Sequence, residues 1–325
     1  MRRMMGAIAA TAVLLGTAAG VRAEDPAAYP SKPVTYVAPF APGGATDMVA
    51  RLLSEKLSQR TGQQFVVENK SGAGGLLGTR FVAEAAADGY TLAGASFNYM
   101  LYPTLFNDLT FDIYDDLTPV TQVVTYPSVL LVNPDLPVNT VADLVEYAKQ
   151  NPGKVKFASS GLGTAAHLAG ELLRKEAGID IEHVPYRGGG PANADVVAGH
   201  VAMHFGPLGS AIEFIRGGRL KALAVGTAER APALPDVPTM VESGYPDFVI
   251  SEFQAVFVPA GTPPEIVDKL NREIVAILET PEVVEHFEGQ GAHIAATSSA
   301  EFAEYLRTEG PRWNQIAKDA GIEPQ

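Results

Sequence analysis

The residues best suited to chemistry lie in two short loops, Ala41-Pro-Gly-Gly-Ala-Thr46 and Ser159-Ser-Gly-Leu-Gly-Thr164. Each follows an apolar run (Val34 to Phe40, and Val155 to Ala158) and precedes a segment with helical periodicity. Glycines such as Gly43, Gly44 and Gly163 leave the backbone N–H groups uncovered and permit turns that other residues resist. The hydroxyls of Thr46, Ser159, Ser160 and Thr164 can cap a helix or donate to a ligand. Backbone amides backed by the positive end of a helix dipole hold anions well. Two such loops about 120 residues apart point to two lobes that grip one small anion.

Turnover has less support. The chain has no Walker loop, no His-Glu-x-x-His and no Gly-x-Ser-x-Gly elbow. Ser159, Ser160 or Thr164 would act as nucleophile only with a base in reach, and no convincing partner is evident. Gly161-x-Gly163-x-x-Ala166 fits the Ala variant of the dinucleotide fingerprint. The strand after it ends at Tyr186-Arg187, however, and lacks the acidic residue that would hold a ribose. No catalytic residue, cofactor or metal is expected. An exported nucleotide-dependent oxidoreductase or other secreted enzyme is the alternative, which turnover or a cofactor chromophore would reveal.

Several other side chains could touch a ligand. Arg187, beside Gly188 at a strand end, could meet a distal carboxylate or stand in solvent. His167, one turn into the second helix, could line the cleft as a donor. Asp47 would repel an anion directly, so it either supports the first helical turn or orients loop amides. Tyr99, after Ser96-Phe-Asn98, is the aromatic most expected to face a ligand.

Strands and helices alternate from Val34 to Val225, as in parallel α/β construction. Helices are expected from about Asp47, with Thr46 as N-cap, and from about Ala165. Others are expected from the Gly-rich Asn69–Gly75 loop to near Ala87, from Asn139 or Thr140 to Gln150, and around Pro191. Strands are expected at Phe65–Glu68, Thr91–Ser96 and Glu182–Tyr186. Three helices close the chain, the last started by a Ser298/Glu301 capping box. The apolar segments Thr121–Val132 and Phe248–Val258 are candidates for strands that cross between lobes.

The first 23 residues read as a cleavable signal peptide. Arg2 and Arg3 precede a short apolar stretch, and Val21-Arg22-Ala23 supplies the cleavage site. A soluble periplasmic protein is expected. Its three Arg removed, 21 of the 24 basic residues remain against 37 acidic ones, a balance that argues against nucleic acid. The chain has no Cys, so neither disulfides nor thiol chemistry arise. The remaining length favours two lobes: 24–125 plus 254–325, and 126–253.

The motifs Pro39-Phe-Ala-Pro-Gly-Gly-Ala-Thr-Asp47, Val67-Glu-Asn-Lys-Ser-Gly-Ala-Gly-Gly75 and Ala87-Asp-Gly-Tyr-Thr-Leu92 occur in order. Ser159 to Thr164 with His167-Leu-Ala-Gly-Glu171, Val184-Pro-Tyr-Arg-Gly188, Pro235-Asp-Val-Pro-Thr239 and Pro259-Ala-Gly-Thr-Pro263 follow. Together they resemble the substrate-binding receptors of tripartite tricarboxylate transporters, the Bug family. The resemblance implies an α/β, two-lobe, Venus-flytrap binding protein, type II-like, with crossing hinge strands. It implies a small organic carboxylate as ligand and membrane permease subunits as partners; a sensor kinase would use the same binding chemistry. A monomer is expected. Carried over from the family, Phe40, Ala41, Gly44 and Asp47 hold one carboxylate from one side. Ser159, Gly163 and Thr164 hold it from the other, and Tyr186, Arg187 and Gly188 line the distal end. Arg187 stands where Lys is commoner in the family, and Phe253 where Trp is usual.

Overall fold

The computed structural model describes residues 26–322 and 324. The expected signal peptide lies outside the described residues. Three parallel strands open the fold: β1 (Val34–Ala38) lies between β2 (Phe65–Asn69) and β3 (Thr91–Ser96). Helix α1 (Ala45–Thr61) links β1 to β2, and α2 (Leu76–Ala83) links β2 to β3. A buried 3-10 turn and the single-turn α3 (Tyr102–Leu105) follow.

Strand β4 (Leu117–Val132) then runs for 16 residues. Beyond it come α4 (Val141–Gln150), β5 (Val155–Ser159), α5 (Ala165–Ala177) and β6 (Ile181–Pro185). Next are α6 (Gly189–Val197), β7 (Met203–Pro207), α7 (Leu208–Arg216) and β8 (Lys221–Val225). Strand β9 (Ser251–Pro259) leads to α8 (Pro264–Leu278), α9 (Pro281–Gly289), β10 (His293–Ile294) and α10 (Ser299–Asp319).

The helices follow their apolar spacing. On α1, Val49, Leu53 and Leu57 recur every four residues and are buried, and Gly62 ends the helix in a left-handed conformation at φ 73°. Thr140 with Asp143, and Ser298 with Glu301, form capping boxes on α4 and α10. The helix expected to reach Ala87 stops at Ala83. The first helix starts at Ala45 and not near Asp47, so its N-cap is Gly44 rather than Thr46. Gly44 has no side chain to cap with, and Asp47 substitutes by reaching back to the Gly43 N–H at 3.0 Å.

The sheet is mixed rather than wholly parallel. Strand β5 runs parallel to β6 and β7, whereas β4 is antiparallel to β7, β8, β9 and β10. Residues Leu117–Pro127 of β4 pair with β9, and Ser128–Val132 pair with β7 and β8. One continuous strand therefore belongs to both halves of the sheet. A strand shared in this way, and the one beside it that carries the chain back, run in opposite directions, which breaks the parallel pattern. The two segments expected to cross, Thr121–Val132 and Phe248–Val258, are β4 and β9, and they pair with each other. Away from the crossing the halves also touch. One buried cluster runs from Phe97, Tyr102 and Leu105 to Phe157, Leu168 and Leu173.

Candidate functional site

Four Gly-rich strand ends meet at a seam. After β1 comes 40–44, and after β2 comes 72–75. Opposite them stand 160–163, after β5, and 186–190, after β6. Across the seam, a Cβ on Gly44 would lie 3.3 Å from the Gly189 nitrogen, and one on Gly190 would lie 2.4 Å from the Pro42 carbonyl. A Cβ on Gly74 would lie 2.3 Å from the Leu162 carbonyl. The Ala41 N–H donates to the Arg187 carbonyl at 2.8 Å. The three closest approaches each need a glycine on at least one side of the seam.

The first loop therefore faces the 186–190 loop, and the second faces 72–75. Each expected loop is nevertheless beside the other's partner: a Cβ on Gly189 would stand 3.4 Å from Ser160 Oγ. Gly44 and Gly188 cap α1 and α6 without any side-chain hydrogen bond. The first turns of α1 and α6 thus meet across the seam with no side-chain hydrogen bond at either N-cap residue, and uncapped helix starts are where anions bind. The third terminus differs, because Thr164 caps α5 and accepts from the His167 N–H.

Asp47 is 3 % exposed and fully engaged. Its Oδ2 accepts from the Gly43 N–H and Arg51 Nε, both at 3.0 Å, and its Oδ1 accepts from Asn69 Nδ2 at 2.8 Å. Burial opposes the ionised form, but hydrogen bonds from Arg51, Gly43 and Asn69 win and hold the carboxyl below its usual range. Asn69 Nδ2 also donates to the Phe40 carbonyl at 2.9 Å. Asp47 is thus the loop's internal strut, and its charge is neutralised locally by Arg51.

Ser159 and Ser160 diverge despite being neighbours. Ser159 is fully buried; its Oγ accepts from the Gly161 N–H at 3.1 Å and lies 2.6 Å from His183 Nε2 and 3.0 Å from the Gly161 carbonyl. His183 is the basic partner not evident in the sequence, yet the Ser159 hydroxyl donates to the Gly161 carbonyl of its own loop. The contact holds the loop. Ser160 Oγ has no hydrogen-bond partner among the described residues and faces Gly189.

His167 lines a cavity between Leu105 and Leu162, with one ring nitrogen already engaged. Its Nδ1 accepts from the Gly163 N–H at 3.1 Å, and its ring stacks on His183 at 4.0 Å. Burial, helped by nearby Arg174, lowers its pKa to about 4; burial, helped by His167, lowers that of His183 to about 3. With Glu171, Arg174, Leu105, Phe106 and Leu162 they line a cavity of about 310 Å³. Tyr99 is in the core, stacked on Phe257, with its hydroxyl donating to the Ile113 carbonyl. The structure therefore places it away from the seam, where its hydroxyl is already used. Tyr186 donates to Asp195 Oδ2 at 2.6 Å, while Arg187 is exposed and offers the seam its carbonyl. Thr46, at 6 % exposure, packs its methyl toward Gly94. Among the described residues no group of three His, Asp or Glu could hold a metal ion, and no helix is long and apolar enough to cross a membrane.

Residues 49–322 match the model of the tripartite tricarboxylate transporter family receptor. Protein BugT of Bordetella pertussis is 39% identical over 323 residues, covering 99% of this chain and 98% of that one. A solved structure described as R. palustris Rpa4515 with adipate superposes with a TM-score of 0.88 at 36% identity, covering 91% of this chain and 100% of that one. MatC from Rhodopseudomonas palustris with bound malate superposes at 0.84 with 33% identity, covering 89% of this chain and 99% of that one. The family match over residues 49–322, the full-length relative at 39% identity and the superposition of the whole fold agree, and the chain belongs to the tripartite tricarboxylate transporter receptor family.

Proposed function

We propose that this receptor captures a small organic carboxylate between two lobes, 24–125 plus 254–325 and 126–253, and delivers it to the permease subunits of a tripartite transporter. The observation that carries this reading is the facing pair of glycine-capped helix termini at Gly44 and Gly188. Their bare first-turn amides match a carboxylate's four lone-pair directions better than a cation or an apolar group. The adipate and malate bound in the two R. palustris proteins support the same class. The protein acts as a monomer in the periplasm after loss of residues 1–23, without catalysing a reaction.

Binding would work by population shift. A ligand that touches both α1 and α6 gains contacts only in the closed form, so it favours closure by that difference. A thermal-shift panel of tricarboxylates, aliphatic dicarboxylates, aromatic carboxylates and acidic amino acids tests this. One class should raise Tm steeply, since about 2.7 kcal/mol accrues at one hundred times Kd. The same ligand should shrink the radius of gyration in solution scattering. No response from any carboxylate would sink the proposal.

A further inference from the structure

Gln254 is 1 % exposed, yet neither its Oε1 nor its Nε2 has a hydrogen-bond partner. Buried amides are nearly always paired, and leaving a group unpaired costs about 1–3 kcal/mol. Both halves of one amide are idle here.

Its position explains what could satisfy it. Gln254 lies opposite Ser96 on one side and Val124 on the other. Val256 and Val258 share its face of β9 and pack with Tyr36, Val49 and Leu53, the face covered by α1. One step along that face, Gly94 opposes Val256, and a Cβ on Gly94 would lie 3.1 Å from Thr46 Cγ2 in the first turn of α1. One step the other way, Glu252 opposes Tyr126, whose ring would lie 2.2 Å from a Cβ on Gly209 in the first turn of α7. Gln254 thus sits on the hinge strand between the opening turns of α1 and α7. One of these helices belongs to each side of the seam. Neither amide atom of Gln254 bonds the nearby Ser96 hydroxyl, whose hydrogen goes to Asn98 Oδ1 at 2.6 Å.

We propose that Gln254 reads a hydroxyl or amino substituent on the bound carboxylate, making the ligand a hydroxy or amino acid rather than an unsubstituted one. This rests on the carboxylate reading above. An amide offers one acceptor and two donors, so its best match is a group that also donates. A second ligand carboxylate would suit this position poorly, because the Glu252 carboxyl follows on the same face. Burial pushes the Glu252 carboxyl up to about 7.

Isothermal titration with matched pairs tests the idea: succinate against malate and aspartate, glutarate against 2-hydroxyglutarate, and benzoate against 4-hydroxybenzoate. The wild type should prefer the substituted member of at least one pair by about ten-fold or more, the value of one or two good hydrogen bonds. In Gln254→Leu that ratio should collapse toward one. The ligand-free Gln254→Leu protein should melt no lower than the wild type, because the change removes two unpaired buried atoms. Gln254→Met repeats the measurement should the branched side chain disturb packing. The inference fails if no pair is discriminated, if the variants keep the preference, or if the ligand-free variants melt lower. Carboxylate binding without discrimination sinks this inference alone, whereas no carboxylate binding sinks the carboxylate reading with it.

Discussion

Gly44 and Gly189 meet backbone to backbone: a Cβ on Gly44 would stand 3.3 Å from the Gly189 nitrogen. Gly44 has φ −89° and ψ 169°, a conformation open to any residue. A side chain at this position therefore leaves its own turn unstrained and obstructs only the opposing half. Gly44→Val should lower affinity for the cognate ligand about 100-fold, and more when combined with Thr164→Ala, while each half stays folded. Titration gives the affinity, and circular dichroism checks the fold. Unchanged affinity in the double variant would show that the halves do not bridge the ligand.

Asp47→Asn separates the strut from the charge. The amide keeps an acceptor for Gly43 or Asn69 but loses the ion pair with Arg51, at 2.9 Å in the native protein. The expected cost is about 1–3 kcal/mol of stability, since a buried acceptor set is broken. The sign with pH follows from the lowered folded-state pKa. The native carboxylate's contribution is full above the unfolded value of about 3.9 and is lost as pH falls through the folded one. Chemical denaturation between pH 2 and pH 5 should therefore show a shallower acid limb in the variant.

Much of this architecture could be read locally. Glycines beside hydroxyls at strand ends located both loops and the start of α5, and cap residues located the starts of α4 and α10. The partners across the seam are not local, so the chain alone could not show that the 40–44 loop faces 186–190. Ser159 finds His183 on the adjacent strand, 24 residues away, through the β5–β6 register. Tyr99 looked ligand-facing because it follows a strand end, but the 3-10 turn Phe97–Leu101 rotates it into the core. Gln254 was hidden inside an apolar run, where one polar residue carries no periodic signal.

The adjacent serines should respond oppositely. Ser159→Ala removes the acceptor of the Gly161 N–H and the partner of His183, and should destabilise the free protein by about 1–3 kcal/mol. Ser160→Ala breaks no protein hydrogen bond and should leave Tm of the free protein within a degree or so. Its cost should appear instead in carboxylate affinity, at about ten-fold for one lost hydrogen bond. Equal effects of the two substitutions on both measurements would remove Ser160 from the site.

Acid should weaken the protein through its buried histidines. His167 and His204 are depressed to about 4 and His183 to about 3, in each case chiefly by burial. In the unfolded chain each takes a proton near pH 6.5, so between that value and the folded one only the unfolded state is charged. Stability is therefore full above about pH 6.5 and falls as pH drops toward 4, by up to about 1.4 kcal/mol per pH unit for each histidine. Loss of the neutral His167–His183 stack would also release the Gly163 N–H and Ser159 contacts that shape the second loop. His183→Gln keeps a donor for Ser159 but cannot titrate. Its Tm should decline less steeply than the wild type's from pH 6.5 to 4.5, and an unchanged slope would place the acid sensitivity elsewhere.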